Sequence, residues 1–140
     1  MTVLYTAEAL ATGDGRNGHA RTTDGKIDVD LTTPKELGGS GTGTNPEQLF
    51  AAGYGACFHS ALRLVAKGDG ADISDSSVGS RVSLVSADNG GFGLAVELEI
   101  TLPHVDHATA VALAEKAHQV CPYSNATRGN IDVTLTVTDD

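Results

Sequence analysis

The chain has 140 residues, of which 40% are hydrophobic and 19% charged, and this length and balance predict a single domain spanning residues 1–140. Its formal net charge of −9 argues against nucleic-acid binding, which needs clustered Lys and Arg. No run approaches the roughly 18 apolar residues of a transmembrane helix, and the first residues lack a signal-peptide pattern, so we expect a cytoplasmic protein without a membrane partner.

The region before residue 45 predicts a three-stranded meander followed by a loop. Apolar and polar residues alternate in short runs separated by glycine-rich turns, which is typical of strands. The predicted strands are Val3–Thr12, His19–Thr23 and Lys26–Leu31, and the loops are Gly13–Gly18 and Thr32–Thr44. This arrangement places Arg16 at a loop tip.

The stretch Asn45–Lys67 predicts a buried central helix. Asn45 is a good N-cap, Pro46 suits the first helical position, Gln48 is placed for a capping box, and Gly68 offers the stop. Apolar residues surround the helix axis, which predicts cover on most sides: Leu49, Phe50, Tyr54, Cys57, Phe58, Ala61, Leu64 and Val65. Small residues such as Ala52, Gly53 and Ala56 make one face thin, which favours close approach of another helix.

The second half of the chain predicts a hairpin, a helix and a closing strand. The hairpin strands are Val78–Ala87 and Phe92–Leu102, and Phe92 to Leu102 alternate so that one sheet face is packed. A helix begins near Asp106 and ends at Cys121, because Pro122 disfavours helix at the residue before it. Tyr123–Asn130 is interpreted as a link and Ile131–Val137 as a strand. The order βββ-α-ββ-α-β indicates an α+β fold, with an antiparallel or mixed sheet and helices on one face.

Cys57 is open to two interpretations. A free cysteine among apolar neighbours in mid-helix behaves as a small buried hydrophobe, and burial would raise its pKa and make it inert. A fixed guanidinium at the thiol would reverse this by stabilising the thiolate. Arg16, Arg63 and Arg21 are the candidate cations.

The remaining chemical groups each have a structural interpretation. Cys121 is a helix-end residue next to Pro122, although a second thiol favours a peroxidatic and resolving pair. Glu47 in the first helical turn complements the helix dipole, an effect of typically about 0.3–1 kcal/mol. His104 with His107, and His118 with Cys121, give two ligands each where a structural zinc site needs four, so we expect no metal.

Two long motifs are Asn45–Tyr54, leading into Ala56–Phe58, and Ala117–Val133, which contains the run VCPYSNATRGNIDV. Together they resemble the signatures of the organic hydroperoxide resistance proteins of the OsmC/Ohr superfamily. The likeness covers essentially the whole chain, including Val3–Ala7 at its start.

The resemblance implies a thiol-dependent peroxidase that reduces organic hydroperoxides to alcohols. Cys57 would attack the peroxide, and Cys121 would resolve the resulting sulfenic acid as an intrachain disulfide. Arg16 and Glu47 would be the charged partners of Cys57. The loop around Arg16 is one residue longer before the arginine than the family pattern, and Arg21 is the second choice.

The resemblance further implies an intertwined homodimer, no bound cofactor, and a dihydrolipoyl group on a lipoylated protein as the reductant. Glu47 and Cys57 lie ten residues apart and hence about 15 Å apart along a straight helix. A site that holds both therefore needs a helix bend, a long bridging arginine or a second chain, and the last of these agrees with the dimer. The alternative function is a non-enzymatic redox sensor or ligand-binding scaffold, in which the thiol oxidises once.

Overall fold

Within residues 1–138, six strands form two separate three-stranded sheets, accompanied by three α-helices. The computed structural model describes residues 1–138, and its contacts divide the chain into an N-terminal unit, Met1–Leu49, and a C-terminal unit from Phe50 onward. The predicted α+β class is confirmed. The expectation of one sheet is wrong, because strands β1 to β3 pair only with one another and β4 to β6 do the same within the described residues.

The sheet of the N-terminal unit is an antiparallel meander, as predicted. It consists of β1 (Ala9–Asp14), β2 (Asn17–Thr22) and β3 (Asp28–Asp30), with Ala11 opposite Ala20 and Ala20 opposite Val29. The first strand begins at Ala9 and not at Val3, because its partner β2 ends at Thr22, the residue opposite Ala9. Part of the predicted loop Gly13–Gly18 belongs to β1, so the turn at Arg16 is shorter than predicted. A short 3-10 helix, Lys35–Leu37, interrupts the loop that leads to the next helix.

Helix α1 spans Pro46–Gly68, within one residue of the predicted range. The Asn45 side-chain oxygen accepts a hydrogen bond from the Gln48 backbone N–H at 2.9 Å, so Asn45 is the N-cap. The Gln48 side chain does not complete the expected capping box, since its carbonyl oxygen accepts from the Thr44 hydroxyl at 2.7 Å. The cap therefore depends on Asn45.

The buried face of α1 carries the largest core side chains. Tyr54, Phe58 and Leu62 are fully buried, whereas Leu64, which the sequence places in the core, is 64% exposed. Periodicity identifies the apolar positions of a helix that is apolar all round, but it does not say which of them are covered.

Helix α1 is also apolar and long enough, on length and composition alone, to cross a membrane. Its 23 residues reach a mean hydropathy of 1.2 over the most apolar window, and 39% of that window is buried. The expectation that no segment is apolar and long enough for a transmembrane helix is therefore wrong. The same criterion is met by core helices of proteins outside membranes, and α1 contributes Tyr54, Phe58 and Leu62 to a packed core.

The sheet of the C-terminal unit is mixed. Strands β4 (Ser77–Ser86) and β5 (Phe92–Thr101) form the predicted antiparallel hairpin, and β6 (Asp132–Thr138) pairs in parallel with β5. The inner face of β5 buries Val96, Leu98 and Ile100 against the helices. Phe92, predicted to share that face, is 79% exposed because it begins the strand beside the hairpin turn.

Two helices connect β5 to β6. Helix α2 spans His107–Val120, and its N-cap Asp106 accepts a hydrogen bond from the Thr109 N–H, as the predicted start near Asp106 requires. Helix α3 spans Pro122–Thr127, inside the segment Tyr123–Asn130 that was interpreted as a link. Proline lacks the N–H that the first turn leaves unpaired, so Pro122 both ends α2 and begins α3.

Candidate active site

The two cysteines lie side by side in the C-terminal unit although 64 residues separate them. Their Sγ atoms are 3.5 Å apart, and the Cys121 thiol donates to the Cys57 sulfur. Both are free thiols; Cys57 is partly buried and Cys121 fully buried. A disulfide has an S–S distance of about 2.04 Å, so this pair can be bridged after a closure of about 1.5 Å.

The position of Cys121 follows from the junction of two helices. Its backbone N–H donates to Ala117 O as the C-cap of α2, and its sulfur accepts a 3.5 Å hydrogen bond from the Ser124 N–H as the N-cap of α3. The predicted location of Cys121 at the end of a helix is confirmed. Because α3 begins immediately at Pro122, the first turn of α3 directs the Cys121 side chain.

Opposing influences set the pKa of the Cys57 thiol. Burial raises the pKa by disfavouring the thiolate, and the neighbouring Cys121 thiol raises it further. A hydrogen bond from the Tyr123 backbone lowers it, but the net direction is upward. The C-terminal unit thus holds Cys57 mainly as a thiol, and a nearby cation would be needed to favour the reactive thiolate.

Three aromatic rings pack together around the helical turn that precedes Cys57. The ring centroids of Phe50, Tyr54 and Tyr123 are 5.7–6.1 Å apart in edge or tilted arrangements. Gly53 allows this approach, because a Cβ atom there would lie 3.2 Å from the Tyr123 hydroxyl oxygen. The glycine that weakens the propensity of α1 therefore has a local packing role.

The charged residues predicted from the sequence form a pair within the N-terminal unit. Arg16 donates two parallel hydrogen bonds to Glu47, Nη1 to Oε2 at 2.8 Å and Nη2 to Oε1 at 2.6 Å, a bidentate geometry that fixes the guanidinium plane. The Glu47 side chain is only 15% exposed. Glu47 belongs to the first turn of α1, where its charge also suits the helix dipole.

The charges of this pair persist at neutral pH. The hydrogen bond from Arg16 holds the pKa of Glu47 below its usual value, and Glu47 raises the pKa of Arg16 above its own. A depressed carboxylate pKa means that the pair is intact above the ordinary glutamate range and is lost as the pH falls through the lowered pKa. Glu47 therefore keeps Arg16 in place under neutral conditions.

Arg16 occupies the tip of the β1–β2 hairpin, as predicted. Gly15 before it has φ +64°, in the left-handed region where glycine is unstrained. Arg21, the second choice, lies in β2 with its Nε 3.5 Å from Asp28 Oδ2. Arg63 is an exposed residue of α1.

The structure thus collects the four predicted site residues into two pairs, each inside one unit: Arg16 with Glu47, and Cys57 with Cys121. Sequence reasoning missed Tyr123, whose backbone hydrogen bond reaches Cys57. Proline at the first helical position after a possible N-cap cysteine was the available signal for α3. No group of three or more metal-binding side chains occurs within residues 1–138.

Comparisons with known proteins identify the family of the chain. A family model described as OsmC-like protein matches residues 39–136. An organic hydroperoxide resistance protein from Xanthomonas axonopodis pv. citri (strain 306) is 57% identical, with 96% of this chain and 95% of the relative covered. The organic hydroperoxide resistance protein OhrB of Bacillus subtilis (strain 168) is 47% identical, with 94% and 96% covered.

The structural similarity is equally extensive. The crystal structure of an organic hydroperoxide resistance protein from Elizabethkingia anophelis gives a TM-score of 0.94 at 52% identity, with 100% of both chains covered. The fold and the paired cysteines define an α+β protein of the OsmC type. The chain belongs to the organic hydroperoxide resistance (Ohr) subfamily of the OsmC/Ohr superfamily, which confirms the resemblance found in its sequence.

Proposed function

We propose that this protein is a thiol-dependent peroxidase that reduces organic hydroperoxides to alcohols. The observation that carries the proposal is the 3.5 Å separation of the Cys57 and Cys121 sulfur atoms, since a sulfenic acid formed on one cysteine condenses with a neighbouring thiol to a disulfide. Relatives named organic hydroperoxide resistance proteins over nearly the full length of the chain supply the substrate class.

The reaction balances in two steps. The Cys57 thiolate attacks the terminal oxygen of the hydroperoxide ROOH; the O–O bond breaks, and the alkoxide leaves as ROH with one proton, giving Cys57–SOH. The Cys121 sulfur then attacks the Cys57 sulfur; an S–S bond forms, the S–O bond breaks, and water leaves with the Cys121 proton. Partly buried Cys57 is the peroxidatic residue, since peroxide must reach it, and fully buried Cys121 is the resolving one.

Arg16 is proposed to stabilise the Cys57 thiolate and the negative charge that develops on the departing oxygen. Two observations support this role. Burial raises the pKa of Cys57, so a cation at the thiol would favour the thiolate, and the bidentate bond to Glu47 keeps Arg16 charged and fixed in orientation. Glu47 is accordingly proposed to orient Arg16.

The aromatic cluster of Phe50, Tyr54 and Tyr123 favours an apolar organic group on the substrate. The rings pack around the turn of α1 before Cys57, and the Tyr123 side chain is 41% exposed. Apolar alkyl groups gain free energy from burial against such side chains, which hydrogen peroxide cannot do.

The alternative function is a redox sensor or ligand-binding scaffold without turnover. It would use the same cysteine pair, but the oxidised form would persist and alter a partner interaction. Sustained consumption of hydroperoxide in the presence of a reductant separates the two functions.

The reductant is proposed to be a dihydrolipoyl group on a lipoylated protein, in the cytoplasm, with no cofactor bound to the enzyme. Dihydrolipoamide carries two thiols, so one molecule can reduce the Cys57–Cys121 disulfide and leave as the cyclic disulfide. We expect dihydrolipoamide to support continuous reduction of tert-butyl hydroperoxide and thioredoxin to support it poorly. A coupled assay compares the two; faster turnover with thioredoxin would contradict the reductant, and no turnover with either would favour the sensor.

A homodimer is also proposed. The apolar side chains of Val3, Leu4 and Tyr5 are 80–94% exposed, more than isolated chains usually leave in one run. A groove of about 310 Å³ runs along the small residues of α1, beside Ser80, whose buried hydroxyl oxygen has no partner within the described residues. We expect light scattering at micromolar concentration to give twice the chain mass of 14.3 kDa; a stable monomer would contradict the dimer.

A further inference from the structure

A buried chain of hydroxyl groups connects the three helices of the C-terminal unit beside the cysteine pair. His118 of α2 lies with Nδ1 2.7 Å from the Ser124 hydroxyl of α3, and that hydroxyl is 2.8 Å from the Tyr54 hydroxyl of α1. Tyr54 is in turn 3.1 Å from the Thr127 hydroxyl. Tyr54, Ser124 and Thr127 are at most 2% exposed, so water does not replace these partners.

The number of available protons fixes the donor and the acceptor in each hydrogen bond of this network. Each hydroxyl has a single proton, and Thr127 donates its own to the Ser124 carbonyl oxygen at 3.2 Å. Tyr54 must therefore donate to Thr127, and Ser124 must donate to Tyr54. The Ser124 oxygen is left to accept from His118, so Nδ1 of His118 carries a proton. Both the neutral Nδ1–H tautomer and the imidazolium satisfy this requirement.

This hydrogen-bond network is connected to both cysteines through the backbone. The N–H of Ser124 donates to the Cys121 sulfur, while its hydroxyl is held by His118 and Tyr54. Tyr54 lies three residues before Cys57 on α1, and residues at this spacing share one helix face. The network therefore joins the turn that carries Cys57 to the turn that directs Cys121.

We propose that His118 is a positioning residue for the resolving step of the proposed function, on which this inference rests: its Nδ1–H anchors Ser124 and thereby keeps the Cys121 sulfur in line with Cys57. In that step the Cys121 sulfur attacks the Cys57 sulfenic acid, the S–S bond forms, and the S–O bond breaks with release of water. Within residues 1–138 His118 has no hydrogen bond to either sulfur, and it acts through Ser124. Attack of Cys57 on the peroxide does not use the network.

The test is a rapid-quench measurement of His118→Leu, which removes the donor. After mixing with tert-butyl hydroperoxide, samples are quenched with an alkylating reagent and weighed as intact protein. We expect the Cys57 sulfenic acid to form within about twofold of the wild-type rate and the disulfide to form about tenfold more slowly, the effect of one lost buried hydrogen bond. Because the sulfenic acid persists, sulfinic Cys57 should appear at a lower peroxide dose.

Matched variants separate positioning from general destabilisation. His118→Asn keeps an N–H donor near the Nδ1 position and should restore disulfide formation to within about threefold of wild type. His107→Leu makes the same change at the other end of α2 and should leave both rates unchanged. If His118→Leu is unfolded by circular dichroism, Ser124→Ala, which removes the acceptor for His118 together with the donor to Tyr54, takes its place.

Three results would overturn the inference. The first is a wild-type rate of disulfide formation in His118→Leu or its substitute. The second is equal slowing in His118→Leu and His118→Asn, which would make the hydrogen bond irrelevant. The third is equal slowing of both chemical steps. Failure of the wild-type protein to form any disulfide would instead refute the proposed function, and the inference with it.

Discussion

Arg16→Ala should slow oxidation of Cys57 by organic hydroperoxide by roughly two to three orders of magnitude, the scale of removing one electrostatic stabiliser from an active site. Two effects act together. The cation favours the thiolate that burial disfavours, and its fixed N–H groups stabilise the departing oxygen. The second-order rate of Cys57 oxidation measures the combined loss, and thiolate absorbance followed against pH measures the first effect alone.

The matched control is Arg21→Ala. Arg21 lies in β2 with its guanidinium at Asp28, while Arg16 of the same unit is held by Glu47, so the two variants remove the same charge from different places. Arg21→Ala should react at close to the wild-type rate. Stability should change little in either variant, because both side chains are at least 40% exposed. An Arg16→Ala variant with the wild-type rate and an unchanged Cys57 pKa would remove Arg16 from the mechanism.

Cys121→Ser should abolish turnover while leaving the first oxidation of Cys57 intact. The Cys121 sulfur is the partner 3.5 Å from Cys57, and a serine hydroxyl cannot form the disulfide, so the sulfenic acid has no resolving group. Intact-mass spectrometry should detect oxygen adducts of Cys57, first one oxygen and then two. Cys57→Ser is the companion variant and should not react with the peroxide. Sustained turnover by Cys121→Ser would show that resolution does not need Cys121.

The local features of the fold could be predicted from sequence because their causes are local. Asn45 and Asp106 cap their helices as their residue types require, and alternation located both strands of the β4–β5 hairpin. Helix α3 was missed because Pro122 was interpreted only as the end of α2. The exposed side of α1 at Leu64 was missed because an apolar pattern does not reveal which side is covered.

The site residues were paired from the family resemblance and not from local sequence patterns. No local pattern brings Cys57 to Cys121, or Arg16 to Glu47, across 64 and 31 residues; only the family resemblance paired them. In the structure each pair lies within one unit at hydrogen-bonding distance. The His118–Ser124 contact had no sequence signal, since six residues that cross a helix junction follow neither helical nor strand periodicity.

The most direct measurement of the central claim is the intact mass of the wild-type protein after one equivalent of an alkyl hydroperoxide. The thiol pair at 3.5 Å predicts that a single chain loses two hydrogens, that neither cysteine can then be alkylated, and that dihydrolipoamide restores both thiols. If both thiols remain open to alkylation after excess hydroperoxide, the peroxidase function is contradicted.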